Sequence, residues 1–193
     1  MQDLTPKIPL RERLIFALDV STTAEARSLV ELLGDAVWFY KIGLELFMAG
    51  GYFELLEWLR ERNKNVFVDL KFFDVPQTVK AAVQQLQRRD VQFVSVHGND
   101  KILEAAVAEK KDLKILAVTV LTSLDDGDLR DLGFQCNAED LVYSRAKRAL
   151  KIGCDGVISS GLEAARLRRD LGDRFIVVVP GIRPESNVDD QKR

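Results

Sequence analysis

Hydrophobic residues along this chain fall into two alternating kinds of segment. Short runs that are apolar almost throughout recur at 14–20, 37–42, 66–70, 91–96, 115–121, 156–158 and 175–179. They are rich in Val, Ile, Leu and Phe, the pattern of parallel strands buried on both faces. Between them lie stretches with apolar residues at i, i+3, i+4 spacing, which predict helices over 23–33, 52–62, 77–88, 102–109, 139–151 and 162–171. Phe53, Leu56 and Leu59 share one helical face, as do Val79, Val83 and Leu86. Ser21 and Thr22 precede the first helix and suit its N-cap. The segment 125–137 is polar and turn-rich, and predicts a long loop with one short helix near 128–132.

This order predicts a parallel α/β architecture, either an open doubly wound sheet or a (β/α)8 barrel. The first strand leads into ALDVSTTAEA where a dinucleotide fold would carry GxGxxG, and no GxxxxGK[ST] occurs. Both observations count against a nucleotide-binding open sheet. No linker, low-complexity stretch or composition break divides residues 1–193, so a single domain is expected.

Charged and hydroxyl residues close the apolar runs at their C-terminal ends. The strands close on Asp19, on Lys41, on Asp69 and Lys71, on His97, on Thr122 and Ser123, on Ser159 and Ser160, and on Pro180, Gly181 and Arg183. In a barrel these C-terminal ends converge on one face, where active sites are built. Ser159 and Ser160 read most simply as helix caps, and His97 equally well as a packing residue. Asp69 and Lys71 are harder to assign to structure. Strand alternation at i, i+2 turns both toward the interior, where ionised groups are costly unless paired. With Asp19, Lys41 and Asp74 they would form an alternating array of carboxylates and ammonium groups. Such an array keeps both kinds of group ionised, and needs no metal or organic cofactor to donate a proton or press negative charge on an anionic substrate.

Composition narrows the partners. The 193 residues are 47% hydrophobic and 30% charged, and 28 Lys+Arg against 30 Asp+Glu give a net charge of −2. That balance lacks the basic excess of a nucleic-acid binder. The N-terminus has no signal-peptide pattern and no apolar run approaches a bilayer span, so a cytoplasmic protein away from membranes is expected. Cys136 and Cys154 read as reduced thiols. His97 is the only histidine, which excludes a multi-His zinc site.

The run Val66-Phe-Val-Asp69-Leu-Lys71-Phe-Phe-Asp74-Val75-Pro76-Gln-Thr78 resembles the DxKxxD(I/V)PxT signature of the orotidine 5'-phosphate decarboxylase family. Ala17-Leu-Asp19, Lys41-Ile-Gly43, Val96-His97-Gly98, the run 118–123 and Pro180-Gly-Ile-Arg183 resemble its other strand-end motifs, in the same order. The resemblance implies a (β/α)8 barrel and a cofactor-free carboxy-lyase that converts orotidine 5'-monophosphate to UMP and CO2 in pyrimidine biosynthesis. It makes Lys71 the proton donor to C6 and sets Asp69 beside the departing carboxylate. It gives Asp19 and Lys41 to the ribose hydroxyls and Thr122 to the neighbourhood of the base. Asp74 and Thr78 would reach into the neighbouring site of a homodimer, and Arg183 and Gln191 would belong to a segment that closes over the phosphate.

Two rivals accompany that reading. Keto-sugar-phosphate decarboxylases and lyases of the same scaffold share the DxK strand but use Mg²⁺, with a carboxylate where this chain has Lys41. A truncated, inactive ligand-binding form is the other. Seven βα units are readable, whereas a complete barrel usually runs to about 250 residues. The eighth strand, with its phosphate-gripping Gly-Arg pair, is absent from the text, so the barrel is expected to be incomplete at the C-terminus.

Overall fold

A computed structural model describes residues 8–182. Their seven strands are β1 (Ile15–Ala17), β2 (Phe39–Gly43), β3 (Asn65–Phe72), β4 (Phe93–His97), β5 (Lys114–Val118), β6 (Gly156–Ile158) and β7 (Ile176–Val178). They form one all-parallel sheet in the order β1 to β7, so every crossover joins adjacent neighbours. The helices are α1 (Thr23–Leu33), α2 (Leu44–Ala49), α3 (Tyr52–Glu61), α4 (Pro76–Gln87), α5 (Asp100–Glu109), α6 (Asp126–Asp131), α7 (Ala138–Ile152) and α8 (Gly161–Leu171). The singly wound barrel is therefore the correct choice of the two architectures, here as a curled sheet with β1 and β7 at its edges.

Strand alternation sorts the side chains into two cores. Tyr40, Ile42, Val66, Val68, Val94, Val96, Ile115, Ala117 and Val157 pack outward against the helices. Phe39, Phe67, Phe93, Leu116, Val118 and Ile158 point the other way and form a separate inner cluster. Phe93 anchors it, with ring centroids 4.8 Å from Phe39 and 6.1 Å from Phe67. This aromatic floor closes the interior below the charged strand ends.

Local chemistry explains where elements start. Thr22, rather than Ser21, caps α1 by accepting the Glu25 N–H. The short loop helix begins two residues earlier than its sequence suggests, because Asp125 and Asp128 form a reciprocal capping box. Ser160 caps α8 in the same manner with the buried Glu163. Gly156 is fixed by close approach: a Cβ there would lie 2.4 Å from the Ile176 carbonyl oxygen on β7. Gly156→Ala should therefore cost roughly 1–3 kcal/mol of stability through overpacking, measured by urea unfolding. A loss under about 0.5 kcal/mol would show that β7 moves aside freely.

Charges at the opposite, N-terminal end of the sheet serve the backbone. The buried Lys64 ammonium donates to the Gly34 and Val37 carbonyls at 2.6 and 3.0 Å. Lys110 donates to the Gly153 carbonyl and to Asp155 at 2.6 and 2.8 Å. These lysines satisfy main-chain carbonyls. The charges at the C-terminal ends are partnered mainly with one another.

Candidate active site

The parallel register sets Ala17 beside Lys41 and Gly43 beside Asp69, which brings three strand ends together. There Lys41 Nζ donates to Asp19 Oδ1 at 2.8 Å and stands 3.7 Å from Asp69 Oδ2. Lys71 Nζ donates to the same Asp69 Oδ2 at 2.9 Å. The sequence Asp19, Lys41, Asp69, Lys71 thus alternates in sign across the site. It also grades in depth: the Asp19 side chain is 63% exposed and that of Asp69 only 10%. Two ammonium groups flank the Asp69 carboxylate below the surface, and Asp19 stands at the solvent-facing end of the row.

Lys71 reaches this position by a distortion that simple alternation does not foresee. Val68 pairs with Val94, but Phe72 pairs with Val96, so β3 slips against β4 between these points. Lys71 sits in the slip with φ of 47°, a left-handed conformation costing an L-residue about 1–2 kcal/mol. Bulges of this kind re-aim a side chain beside active sites. The fully buried Ser95 fills the gap. Its hydroxyl donates to Asp69 Oδ1 at 2.8 Å and accepts the Lys71 backbone N–H at 2.9 Å. Ser95 is not legible in the sequence, because a serine inside an apolar strand carries no spacing signal. Its inward parity with Phe93 and His97 was the available clue.

Two neighbours complete the surroundings. Tyr52, at the start of α3, is buried and donates to the Ile42 carbonyl at 3.1 Å, which braces the end of β2. Burial, and then the Asp69 charge, push its phenol well above the ordinary value, so it remains a neutral donor. His97 packs against Phe73 with ring centroids 4.6 Å apart. Burial first, then the charges of Arg145 and Lys71, lower its pKa, which favours neutral imidazole. The next residue, Gly98, is fixed by close approach, since a Cβ would lie 2.7 Å from the Val118 carbonyl oxygen. His97, at the end of β4, thus packs against Phe73 of the β3–α4 connection.

The structure corrects the five-membered array to four. Asp74 is exposed, its carboxylate accepts the Val75 N–H at 2.6 Å, and among the described residues no ion pair joins it to the others. The reason is local: the chain leaves the sheet after Phe72 to open α4 on Pro76, and it carries Asp74 and Thr78 to the surface. Phe73 and Val75 beside them are each 64% exposed. Thr122 lies buried just beyond β5. Arg183 and Gln191 lie outside the described residues. Cys136 and Cys154 are free, and burial pushes the Cys154 thiol up to about 12, so Cys154 is not an activated nucleophile.

Comparisons with known proteins point to one family. The profile of the "Orotidine 5'-phosphate decarboxylase / HUMPS family" matches residues 12–193. A protein of Methylococcus capsulatus named orotidine 5'-phosphate decarboxylase is 63% identical over 188 residues, covering 96% of this chain and 78% of the relative. One of the same name from Nitrobacter winogradskyi is 48% identical over 186 residues, covering 95% and 77%. The crystal structure of orotidine 5'-phosphate decarboxylase from Lactobacillus acidophilus superposes with a TM-score of 0.82 at 34% identity, over 89% of this chain and 81% of that one.

Proposed function

The chain belongs to the orotidine 5'-phosphate decarboxylase / HUMPS family, and from that premise we propose that it converts orotidine 5'-monophosphate to UMP and CO2 with Lys71 as the proton donor. One observation carries the reading: a buried carboxylate, Asp69, held between the ammonium groups of Lys71 and Lys41 at 2.9 and 3.7 Å. The C6–carboxylate bond breaks heterolytically and CO2 departs. Its electron pair remains at C6 and takes a proton from the Lys71 ammonium, which leaves a neutral amine for solvent to reprotonate. Lys71 stabilises charge that develops only as the bond breaks, and its place is fixed beforehand, so no reorganisation is needed during reaction. Asp69 has two roles: it keeps Lys71 oriented, and it repels a substrate carboxylate set beside it, a repulsion that ends when neutral CO2 leaves.

The outer pair supports the rest of the substrate. Asp19 and Lys41, bonded at 2.8 Å, offer an acceptor and a donor for ribose hydroxyls. Thr122 lies near the base, and Arg183 and Gln191 serve the phosphate. Asp74 and Thr78 project from the surface to complete the partner's site in a homodimer, with Phe73 and Val75 supplying apolar area between subunits. Among the described residues no helix is long and apolar enough to cross a membrane. Free thiols and a substrate made inside the cell fit a cytoplasmic enzyme.

The purified protein should release UMP and CO2 stoichiometrically from orotidine 5'-monophosphate. Failure to form UMP, with the substrate demonstrably bound, would remove this reading. The Mg²⁺-dependent alternative is weaker because the Lys41 ammonium stands between Asp19 and Asp69, where it repels a divalent cation. EDTA should accordingly leave the rate unchanged. A loss restored by Mg²⁺ would favour the metal-dependent relatives.

A further inference from the structure

We infer that Ser95 is a positioning residue for decarboxylation, which sets both the Asp69 carboxylate and the Lys71 backbone through one hydroxyl. The inference rests on the decarboxylase reading above and adds a residue to its machinery.

The argument starts from the broken ladder between β3 and β4. In a regular parallel pair, a β3 amide at this depth would bond to a β4 main-chain carbonyl. The register change between Val68 and Phe72 removes that partner from Lys71. A buried N–H without an acceptor is costly, and a left-handed lysine adds strain. Ser95 Oγ resolves both requirements, since it accepts the Lys71 N–H at 2.9 Å and so holds the strained conformation in place. Its own proton goes to Asp69 Oδ1 at 2.8 Å. That choice turns Asp69 Oδ2 toward Lys71 Nζ, at 2.9 Å, and toward Lys41, at 3.7 Å. Ser95 is itself fully buried.

One side chain therefore links the main chain of the proton donor to the carboxylate that orients its ammonium. Neither hydrogen bond alone does this. A serine that served folding alone would need to satisfy only the Lys71 amide. A serine that served the carboxylate alone could sit on a regular strand. Their coincidence at the bulge points to the geometry of the Lys71–Asp69 pair as what the hydroxyl maintains.

The test compares wild type, Ser95→Ala and Ser95→Thr. Ser95→Ala should lower kcat about 10- to 100-fold, because misplacement of reacting groups by a fraction of an ångström has that scale. KM and the affinity for UMP should stay within about threefold, since substrate contacts are untouched. Ser95→Thr keeps the hydroxyl and should recover kcat to within about fivefold of wild type, the added methyl being the only burden. A kcat for Ser95→Ala within about twofold of wild type would overturn the proposal, as would a loss shared equally by UMP affinity and not recovered by threonine.

A second readout is independent of turnover. With acetic anhydride and peptide mass spectrometry, the acetylation rate of Lys71 relative to Lys41 should rise at least about threefold in Ser95→Ala, because the Asp69 partner is no longer fixed. An unchanged ratio refutes the positioning role even if wild type decarboxylates normally. Absence of wild-type turnover with a changed ratio would instead remove the substrate assignment and leave the role of Ser95 standing.

Discussion

Lys71→Ala is expected to lower kcat for orotidine 5'-monophosphate by at least about 10⁴-fold, since in the proposed mechanism it removes the proton donor and a preorganised cation together. The fold should persist. The lysine side chain is 37% exposed and lies above the inner aromatic cluster rather than within it. Asp69 keeps the Ser95 hydroxyl and Lys41, so it is not left alone below the surface. The backbone supplies a second, opposite signal. Residue 71 holds φ of 47°, which alanine tolerates poorly and glycine adopts freely. Lys71→Gly should therefore be as inactive as Lys71→Ala but more stable than it by about 1 kcal/mol in urea unfolding. Near-normal turnover in either variant would remove Lys71 from the chemistry. Equal stability of the two would mean that the loop relaxes and stores no strain.

That strain marks the boundary of what the sequence made legible. Buried parallel strands announce themselves as unbroken apolar runs, and the strand at 156–158 was placed to the residue. Edge strands were overestimated. The run 14–20 yields only Ile15–Ala17, because β1 pairs with β2 alone and leaves that ladder after Ala17, while β2 itself runs on to Gly43. The run 115–121 ends at Val118, beyond which the Thr119 hydroxyl takes the Ile158 carbonyl. Helix α2 went unrecognised, since six residues hold too little periodicity to separate from a loop. The four charges were legible because an ionised group at the end of an apolar strand has no cheap structural explanation. The bulge and Ser95 were not, because both depend on pairing between strands distant in sequence, and the departure of Asp74 turns on where β3 ends and α4 opens.

Asp74→Ala tests that departure directly, and it should also abolish most activity, by roughly 10²- to 10³-fold if the carboxylate acts in the partner's site. Its own chain gives it no part in the array: it is exposed, and its only described contact is with the next amide. A defect there is hard to explain within one subunit. In a two-fold dimer, each site would combine Lys71 of one chain with Asp74 of the other. Co-expression of Asp74→Ala with Lys71→Ala then gives a heterodimer with one doubly defective site and one intact site. Isolated through two different tags, that heterodimer should regain about half of wild-type activity. The intact site takes Lys71 from the Asp74→Ala chain and Asp74 from the Lys71→Ala chain. No recovery in the isolated heterodimer would show that each site is built from one chain. A monomeric mass in solution under assay conditions would exclude sharing altogether. Replacement of Phe73 and Val75 by serine separates assembly from chemistry. If these exposed side chains form the contact, the double variant should turn monomeric and lose activity in parallel, with Lys71, Asp69 and Ser95 untouched.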